Sequence, residues 1–146
     1  VAYAVDLGAN VNVAGFGLTG YYYYGEGVGT TGQMANGYGY DQTAGTINSR
    51  ESYGGYVQAT YALPTKTKVG VSWGTSRLDL ADGELTTGTI NSSILMKKNE
   101  MWNAMLIHPL TKHLNLIAEY SYQRSQNQIN QENNANVGSL GGILFF

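Results

Sequence analysis

Hydrophobicity repeats with a period of two along most of the chain, and this feature restricts the fold more than any other. In "LNLIAEYSYQ", residues 114–123, Leu, Ala and Tyr side chains at even positions alternate with mostly polar side chains at odd positions. The segments "KVGVSWGTS" and "YGGYVQATYAL" repeat this alternation, whereas helical spacing occurs almost nowhere. Because successive side chains of a β-strand point to opposite faces of a sheet, the pattern predicts an all-β chain with one apolar and one polar face.

The alternating segments predict about seven strands. The second strand alternates imperfectly, and a β-bulge near Ala14 would bring its two halves into one pattern. Most of the strands exceed the roughly five or six residues usual in soluble proteins and reach the roughly 9–11 that a tilted strand needs to cross a bilayer. The predicted strands are residues 1–7, 10–24, 50–63, 67–78, 99–108, 113–126 and 137–146.

The connections between these strands are predicted to alternate between short and long. Tight turns are expected near Gly8, at Pro64–Thr67 and at Pro109–His113. The long connections are rich in Gly, Asn and Thr and cover residues 25–49, 79–98 and 127–136. Short turns on one rim and long loops on the other are typical of an outer-membrane barrel.

The composition excludes several classes of protein. Only 12% of the 146 residues are charged, about half the share usual in globular domains. Without Cys there is no disulfide framework and no thiolate chemistry. A net charge of −2 gives no basic surface for nucleic acid, and no apolar run is long enough for a transmembrane helix. Alternating apolar and small polar residues are instead typical of a transmembrane β-barrel.

Aromatic residues lie near the predicted strand ends. Tyr21–Tyr24 lie at a long-loop end, while Tyr61 and Phe146 lie at short-turn ends. Tyr and Trp favour membrane interfaces, where the ring is buried and its polar atom stays hydrated. The alternative is that Tyr is simply common in β-sheets. Together with the asymmetry of the loops, the tyrosines favour an interfacial belt.

Four segments of the chain resemble a known family. "VAGFGLTGYYYYGEGVGTTG", "YVQATYALPTKTKVGVSWGTSRLDLADGE", "LIAEYSYQRS" and "LGGILFF" are together similar to the C-terminal half of a Gram-negative outer-membrane general porin. The resemblance covers nearly the whole chain. It implies an antiparallel up-and-down transmembrane β-barrel of about sixteen strands in the outer membrane, assembled as a homotrimer.

The end of the chain carries the most specific part of this resemblance. Leu140, Leu144 and Phe146 lie at alternating positions, with Gly142 filling the gap between the leucines. The resemblance implies that this last strand is the signal recognised by the barrel-assembly machinery. Phe146 would then lie in the lipid interface at the short-turn rim, on the periplasmic side.

This orientation places the three long connections outside the cell. Seven is an odd number, whereas bacterial single-chain barrels have an even number of strands. Residues 1–146 are therefore expected to be the C-terminal part of a single porin barrel domain whose N-terminal strands are missing.

The predicted function is passive diffusion of small hydrophilic solutes and ions through a water-filled channel. A polar wall would set the ion preference; the alternative is that some of these residues merely hydrogen-bond one another across strands. The lipid bilayer and lipopolysaccharide are the expected surroundings. The predicted pore-lining residues are Gln58, Thr60, Lys68, Ser72, Asn115, Glu119, Ser121 and Gln123.

No arrangement of residues predicts catalysis, so the chain is not expected to be an enzyme. Asp79, Asp82 and Glu84 form an acidic cluster, for which a solvated loop is favoured over a weak Ca²⁺ site that bridges lipopolysaccharide. No other cofactor or metal is predicted.

Two other functions remain open at this stage. The first is a small eight-stranded outer-membrane barrel that serves as an anchor or a surface-binding protein. The second is a soluble ligand-binding barrel of the lipocalin kind, with the apolar face inside. Small residues on the predicted inner face, Gly54, Gly70 and Gly74, favour an open lumen over a filled interior.

Overall fold

The computed structural model describes residues 1–30, 36–84 and 95–146, and seven long strands form one antiparallel sheet. The strands of this sheet follow each other in chain order, and its edge strands β1 and β9 do not pair with each other. The all-β prediction and the seven-stranded antiparallel sheet are thus confirmed, whereas closure into a barrel stays a prediction. The strands of the sheet are β1 (Tyr3–Val13), β2 (Phe16–Glu26), β5 (Glu51–Ala62), β6 (Lys68–Leu78), β7 (Met96–Pro109), β8 (Leu114–Asn127) and β9 (Glu132–Leu144).

The first long connection contains a small hairpin that the sequence analysis did not predict. Strands β3 (Tyr38–Asp41) and β4 (Thr46–Ser49) form a separate two-stranded sheet. Asp41 closes the turn between them, because its Oδ1 accepts hydrogen bonds from the backbone N–H groups of Thr43 and Ala44 at 2.8 and 2.9 Å. An Asp side chain that binds backbone groups ahead of it is a common way to stabilise a turn.

The first predicted turn is in the wrong place. Strand β1 runs through Gly8 to Val13, and the chain reverses at Ala14 and Gly15 instead of bulging there. Both residues have positive φ angles, 50° and 83°. Two successive positive φ angles are typical of the tightest two-residue hairpin, whose twist matches that of the strands. The predicted strand 10–24 is therefore divided between β1 and β2.

The third long connection is also shorter than predicted. Residues 132–136 belong to β9, so only residues 128–131 connect it to β8. The Asn127 carbonyl accepts a hydrogen bond from the Asn130 N–H, and the Asn127 N–H donates to the Gln131 carbonyl, both at 3.0 Å. Residues 132–136 are almost all polar, so this part of the strand shows no alternation of apolar and polar residues from which it could be predicted. The contrast between short and long connections holds for the β2–β5 and β6–β7 connections only.

The strands place most apolar side chains on one side of the sheet, which we call the apolar face. Trp73 lies directly opposite Trp102 on this face, with ring centroids 6.0 Å apart. Val71 and Leu140 on the same face are 59% and 88% exposed. Within the described ranges the only buried apolar side chains are Leu78 and Ala81, so no second layer covers the sheet. In the described part of the chain, no helix has the length and apolarity needed to cross a membrane.

Candidate functional site

The predicted pore-lining residues all lie on the opposite side of the sheet, which we call the polar face. Directly opposed residues point to the same side of a sheet. Gln58 is paired with Ser72 across β5 and β6. Ser72 is in turn opposite Asn103, and Asn103 is opposite Ser121. Alternation along each strand places Thr60, Lys68, Asn115, Glu119 and Gln123 on this side as well.

Hydrogen bonds cross the polar face along rows of opposed residues. Asn10 Nδ2 donates to Thr19 Oγ1 at 2.6 Å, and Asn103 Nδ2 donates to Ser121 Oγ at 2.8 Å. The alternative of structural cross-strand hydrogen bonding thus has one example among the predicted wall residues, Ser121, whose partner is Asn103. Asn103 was not among the predicted site residues. It lies between Trp102 and Ala104 in the sequence, and the alternation therefore indicated that it points to the polar face.

Two opposite charges lie in neighbouring rows of the polar face. Glu119 shares a row with Thr60 and Met105, and Lys68 lies in the next row, two strands away. Strand and residue spacings give a separation of about 12 Å, which exceeds the Debye length of about 8 Å at physiological salt. Neither side chain forms an ion pair with another of the described residues. Each charge is therefore available to a passing ion.

Three tyrosines on the polar face were missed as site residues. Tyr21, Tyr23 and Tyr56 form what we call the tyrosine shelf. The Tyr21 ring centroid lies 5.9 Å from that of Tyr56 and 6.4 Å from that of Tyr23, with interplanar angles of 33° and 32°. The run "YYYY" was interpreted as an interfacial belt, but alternation along β2 sends only Tyr22 and Tyr24 to the apolar face. The period of two could have revealed this division.

Glycines in the rows of the shelf leave room for its rings. Tyr23 is opposite Gly54, which in turn is opposite Ser76, and the hydroxyls of Tyr23 and Ser76 are hydrogen-bonded at 2.6 Å. Tyr56 is opposite Gly74, at which a Cβ would lie 3.3 Å from the Tyr56 Cβ. The shelf therefore lies over positions that carry no side chain.

A recess of about 360 Å³ adjoins the tyrosine shelf at Gly74. The side chains that the register places on the polar face here are uncharged, and Asn99 Oδ1 is buried with no hydrogen-bond partner among the described residues. Buried polar atoms without partners are rare and call for an explanation. The recess is lined by Gly74, Thr75, Ser76, Asn99, Glu100, Met101, Gln123 and Ser125.

The residues of the predicted assembly signal lie at the β9 edge of the apolar face. Leu140 is opposite Ala118, and Leu144 is opposite Leu114. Phe146 follows the end of β9 and is fully exposed. The alternation that was predicted for these leucines is present. Recognition of this strand by an assembly machinery stays a prediction.

Glu84 of the acidic cluster engages an arginine rather than its neighbours. Arg50 Nε donates to Glu84 Oε2 at 2.9 Å, and a second guanidinium nitrogen donates to Oε1. This hydrogen bond holds the pKa of Glu84 below its usual value, although desolvation opposes the shift. Asp79, Asp82 and Glu84 are not gathered into a metal site, and the described ranges contain no group of three or more His, Cys, Asp or Glu side chains that could hold a metal ion.

The polar face can therefore hydrogen-bond solutes, because hydroxyl, amide and phenol groups act as both donors and acceptors. It also presents one positive charge, Lys68, and two negative charges, Asp6 and Glu119, to ions. Comparison with known proteins adds no family to this description. No protein-family model matches the chain, and neither a curated protein nor a solved structure matches it.

Proposed function

We propose that the sheet is part of the wall of a transmembrane β-barrel porin in the outer membrane of a Gram-negative bacterium. Small hydrophilic solutes and ions would diffuse through its water-filled lumen without energy input or bond chemistry. One observation carries the proposal: an uncovered apolar face lies opposite a face that carries most of the polar side chains of the same strands. Exposed apolar patches of this extent mark membrane or protein interfaces.

The dimensions of the apolar face support a membrane environment. Along β8 its uninterrupted apolar stretch runs from Leu114 to Tyr122, which is about 27 Å of strand or about 20 Å in height at a tilt of about 40°. The apolar band of outer-membrane barrels is about 25 Å tall. The seven strands have 11 to 14 residues each, enough to cross a bilayer.

Charged residues mark one boundary of this band. Glu100 and Arg124 occupy the row beyond Trp102 and Tyr122, and Arg77 follows in the next row. Aromatic rings beside a charged rim are typical of the interface between lipid and water. This boundary lies at the long-connection end of the sheet, which the proposal places at the outer leaflet.

The proposed barrel needs more strands than this sheet supplies. We infer that further strands pair with the edges of β1 and β9 and complete a wall of about sixteen strands. Contacts with lipopolysaccharide, insertion by the barrel-assembly machinery and a homotrimeric state belong to the same proposal. The eight-stranded alternative finds less support, because a narrow barrel is filled by side chains, whereas the polar face has a recess of about 360 Å³ at Gly74.

Ion preference in the proposed channel follows from the wall charges. Lys68 and Glu119 are too far apart to neutralise each other, so cations are attracted near Glu119 and anions near Lys68. Asp6, opposite Tyr23, adds a second carboxylate to the polar face, so the three charges here sum to −1 and this part of the wall favours cations weakly.

Paired cysteine variants test the proposal, and the chain has no natural Cys to interfere. Ser72→Cys places a thiol on the polar face, and Val71→Cys places one on the apolar face at the adjacent position. The full protein, with the further strands that complete the barrel, should conduct ions after refolding into planar lipid bilayers. A charged, water-soluble methanethiosulfonate reagent should change the conductance of Ser72→Cys only. Absence of conductance in that protein would exclude a pore, and a conductance change confined to Val71→Cys would mean that the apolar face lines the lumen, contrary to the proposal.

A further inference from the structure

The tyrosine shelf and the recess beside it form one continuous surface. The hydroxyl of Tyr23 reaches Ser76, which lines the recess. Tyr56 is 45% exposed and lies opposite Gly74, which also lines it. The rings of the tyrosine shelf therefore lie directly beside the polar recess, and Gly74 places no side chain between them.

Apart from the carboxylates of Asp6 and Glu100, this surface is uncharged and amphipathic. Ser76, Asn99, Gln123 and Ser125 offer hydroxyl and amide groups, each of which can donate and accept hydrogen bonds. The charges Lys68 and Glu119 lie in other rows, closer to the short turns. The carboxylate of Asp6, at the far side of the shelf, accepts a hydrogen bond from the Tyr21 hydroxyl at 3.1 Å.

A pyranose sugar has the complementary surface. Its ring presents C–H groups that pack against an aromatic face, and its rim carries hydroxyls that donate and accept hydrogen bonds. Glu100, which also lines the recess, is paired with Lys98, and the other lining side chains are uncharged, so a charged solute would lose hydration there without gaining an ion pair.

We propose that the tyrosine shelf and the recess at Gly74 bind neutral pyranose oligosaccharides. This inference rests on the proposed function, because it assigns a preferred solute to the wall of that channel. Tyr56 and Tyr21 hold the sugar rings, and Ser76, Asn99 and Gln123 bind the hydroxyls. The site lies near the long-connection end of the sheet, so a sugar meets it before it reaches the level of Lys68 and Glu119.

Two measurements with maltotriose as the probe test this site. Saturation-transfer NMR on the detergent-solubilised protein reports binding and does not depend on conductance. Planar-bilayer recordings report brief interruptions of the ion current. Tyr56→Ala should weaken maltotriose binding by about three- to tenfold, the range expected for loss of one aromatic contact. Tyr56→Phe keeps the ring and should bind like the parent.

Tyr22→Ala is the matched control, because Tyr22 neighbours the shelf in sequence but lies on the apolar face. Its affinity for maltotriose should equal that of the parent. Equal weakening by Tyr22→Ala and Tyr56→Ala, or no saturation transfer to maltotriose, would overturn the inference. So would equal current interruptions from polyethylene glycol of the same radius, because that polymer has no pyranose face. If the protein conducts ions but does not bind maltotriose, this inference fails and the proposed channel stands. If the protein binds maltotriose but does not conduct ions, the proposed channel fails and only the sugar site stands.

Discussion

Arg50 and Glu84 form an ion pair that joins the end of the β2–β5 connection to the residues that follow β6. Both side chains are largely buried, at 9% and 14% exposure. Arg50 also donates to the Asn36 carbonyl at 3.0 Å, and the backbone N–H of Ala81 donates to Glu84 Oε2 at 3.1 Å. These contacts link the β2–β5 connection to the first residues of the β6–β7 connection.

The first prediction concerns the pH dependence of this contact. Because the Arg50 hydrogen bond lowers the pKa of Glu84 on folding, the ionised carboxylate stabilises the contact at pH values above the unfolded pKa. This contribution is lost as the pH falls through the folded pKa. Hydrogen exchange should show the amides of Arg50 and Glu84 protected at pH 7 and exchanging faster, relative to their intrinsic rates, below about pH 4.

Glu84→Gln should remove most of this protection already at pH 7. Loss of the charge from a largely buried pair costs roughly 1–3 kcal/mol of local stability. Asp82→Asn is the control, because the neighbouring Asp82 side chain is exposed and takes no part in the pair. Equal protection in Glu84→Gln and the parent would contradict a role for this ion pair.

The second prediction concerns the hairpin at Ala14 and Gly15. Ala14 has a φ angle of 50°, a region that costs an L-residue with a Cβ roughly 1–2 kcal/mol. Asn tolerates this region and favours such turns, so Ala14→Asn should raise stability by about 1 kcal/mol. Urea titration of the heat-modifiable folded form on a gel would measure the change.

Two further variants distinguish this turn from the one predicted near Gly8. Gly15→Ala should destabilise the fold by about 1 kcal/mol, because Gly15 needs a positive φ angle. Gly8→Ala should change stability little, since a Cβ there would lie 3.4 Å from the Tyr21 ring in ordinary contact. The opposite order of effects would place the turn at Gly8 after all.

The sequence was sufficient to predict the faces of the sheet, because each face depends only on the period of two. Leu116 and Glu119 could be assigned to opposite faces without knowing any strand pairing. Strand ends were harder to predict. The turn at Ala14 depends on two φ angles, and Ala is an unusual residue for that conformation.

Contacts distant in sequence could not be predicted from the pattern. The Arg50–Glu84 pair joins residues 34 positions apart, and nothing in the local sequence of either residue indicates the other. The recess depends on the register that brings Gly74 between Tyr56 and Met101. Periodicity gives the side to which a residue points but not its neighbour across the sheet.

The third prediction contrasts two lysine substitutions on strand β8. Leu116→Lys places a charge on the apolar face and should cost roughly 2–4 kcal/mol if that face meets the middle of a bilayer. It should therefore reduce the heat-modifiable folded form. Glu119→Lys changes the polar face and should leave this form intact. In planar bilayers it should shift ion preference toward anions, because the wall charge changes by two units.

The same gel separates the outcomes. Loss of the folded form in Glu119→Lys but not in Leu116→Lys would mean that the two faces are reversed. The apolar face would then be the interior of a soluble barrel.

The most direct test of the central claim asks whether the apolar face contacts lipid. The chain has two tryptophans, Trp73 and Trp102, and both lie on this face as an opposed pair. Their fluorescence therefore reports its surroundings in the unmodified protein. After refolding into vesicles, lipids brominated on the acyl chains should quench the emission strongly, and iodide in the water should quench it little. Emission that is quenched by iodide and unaffected by brominated lipid would contradict the account.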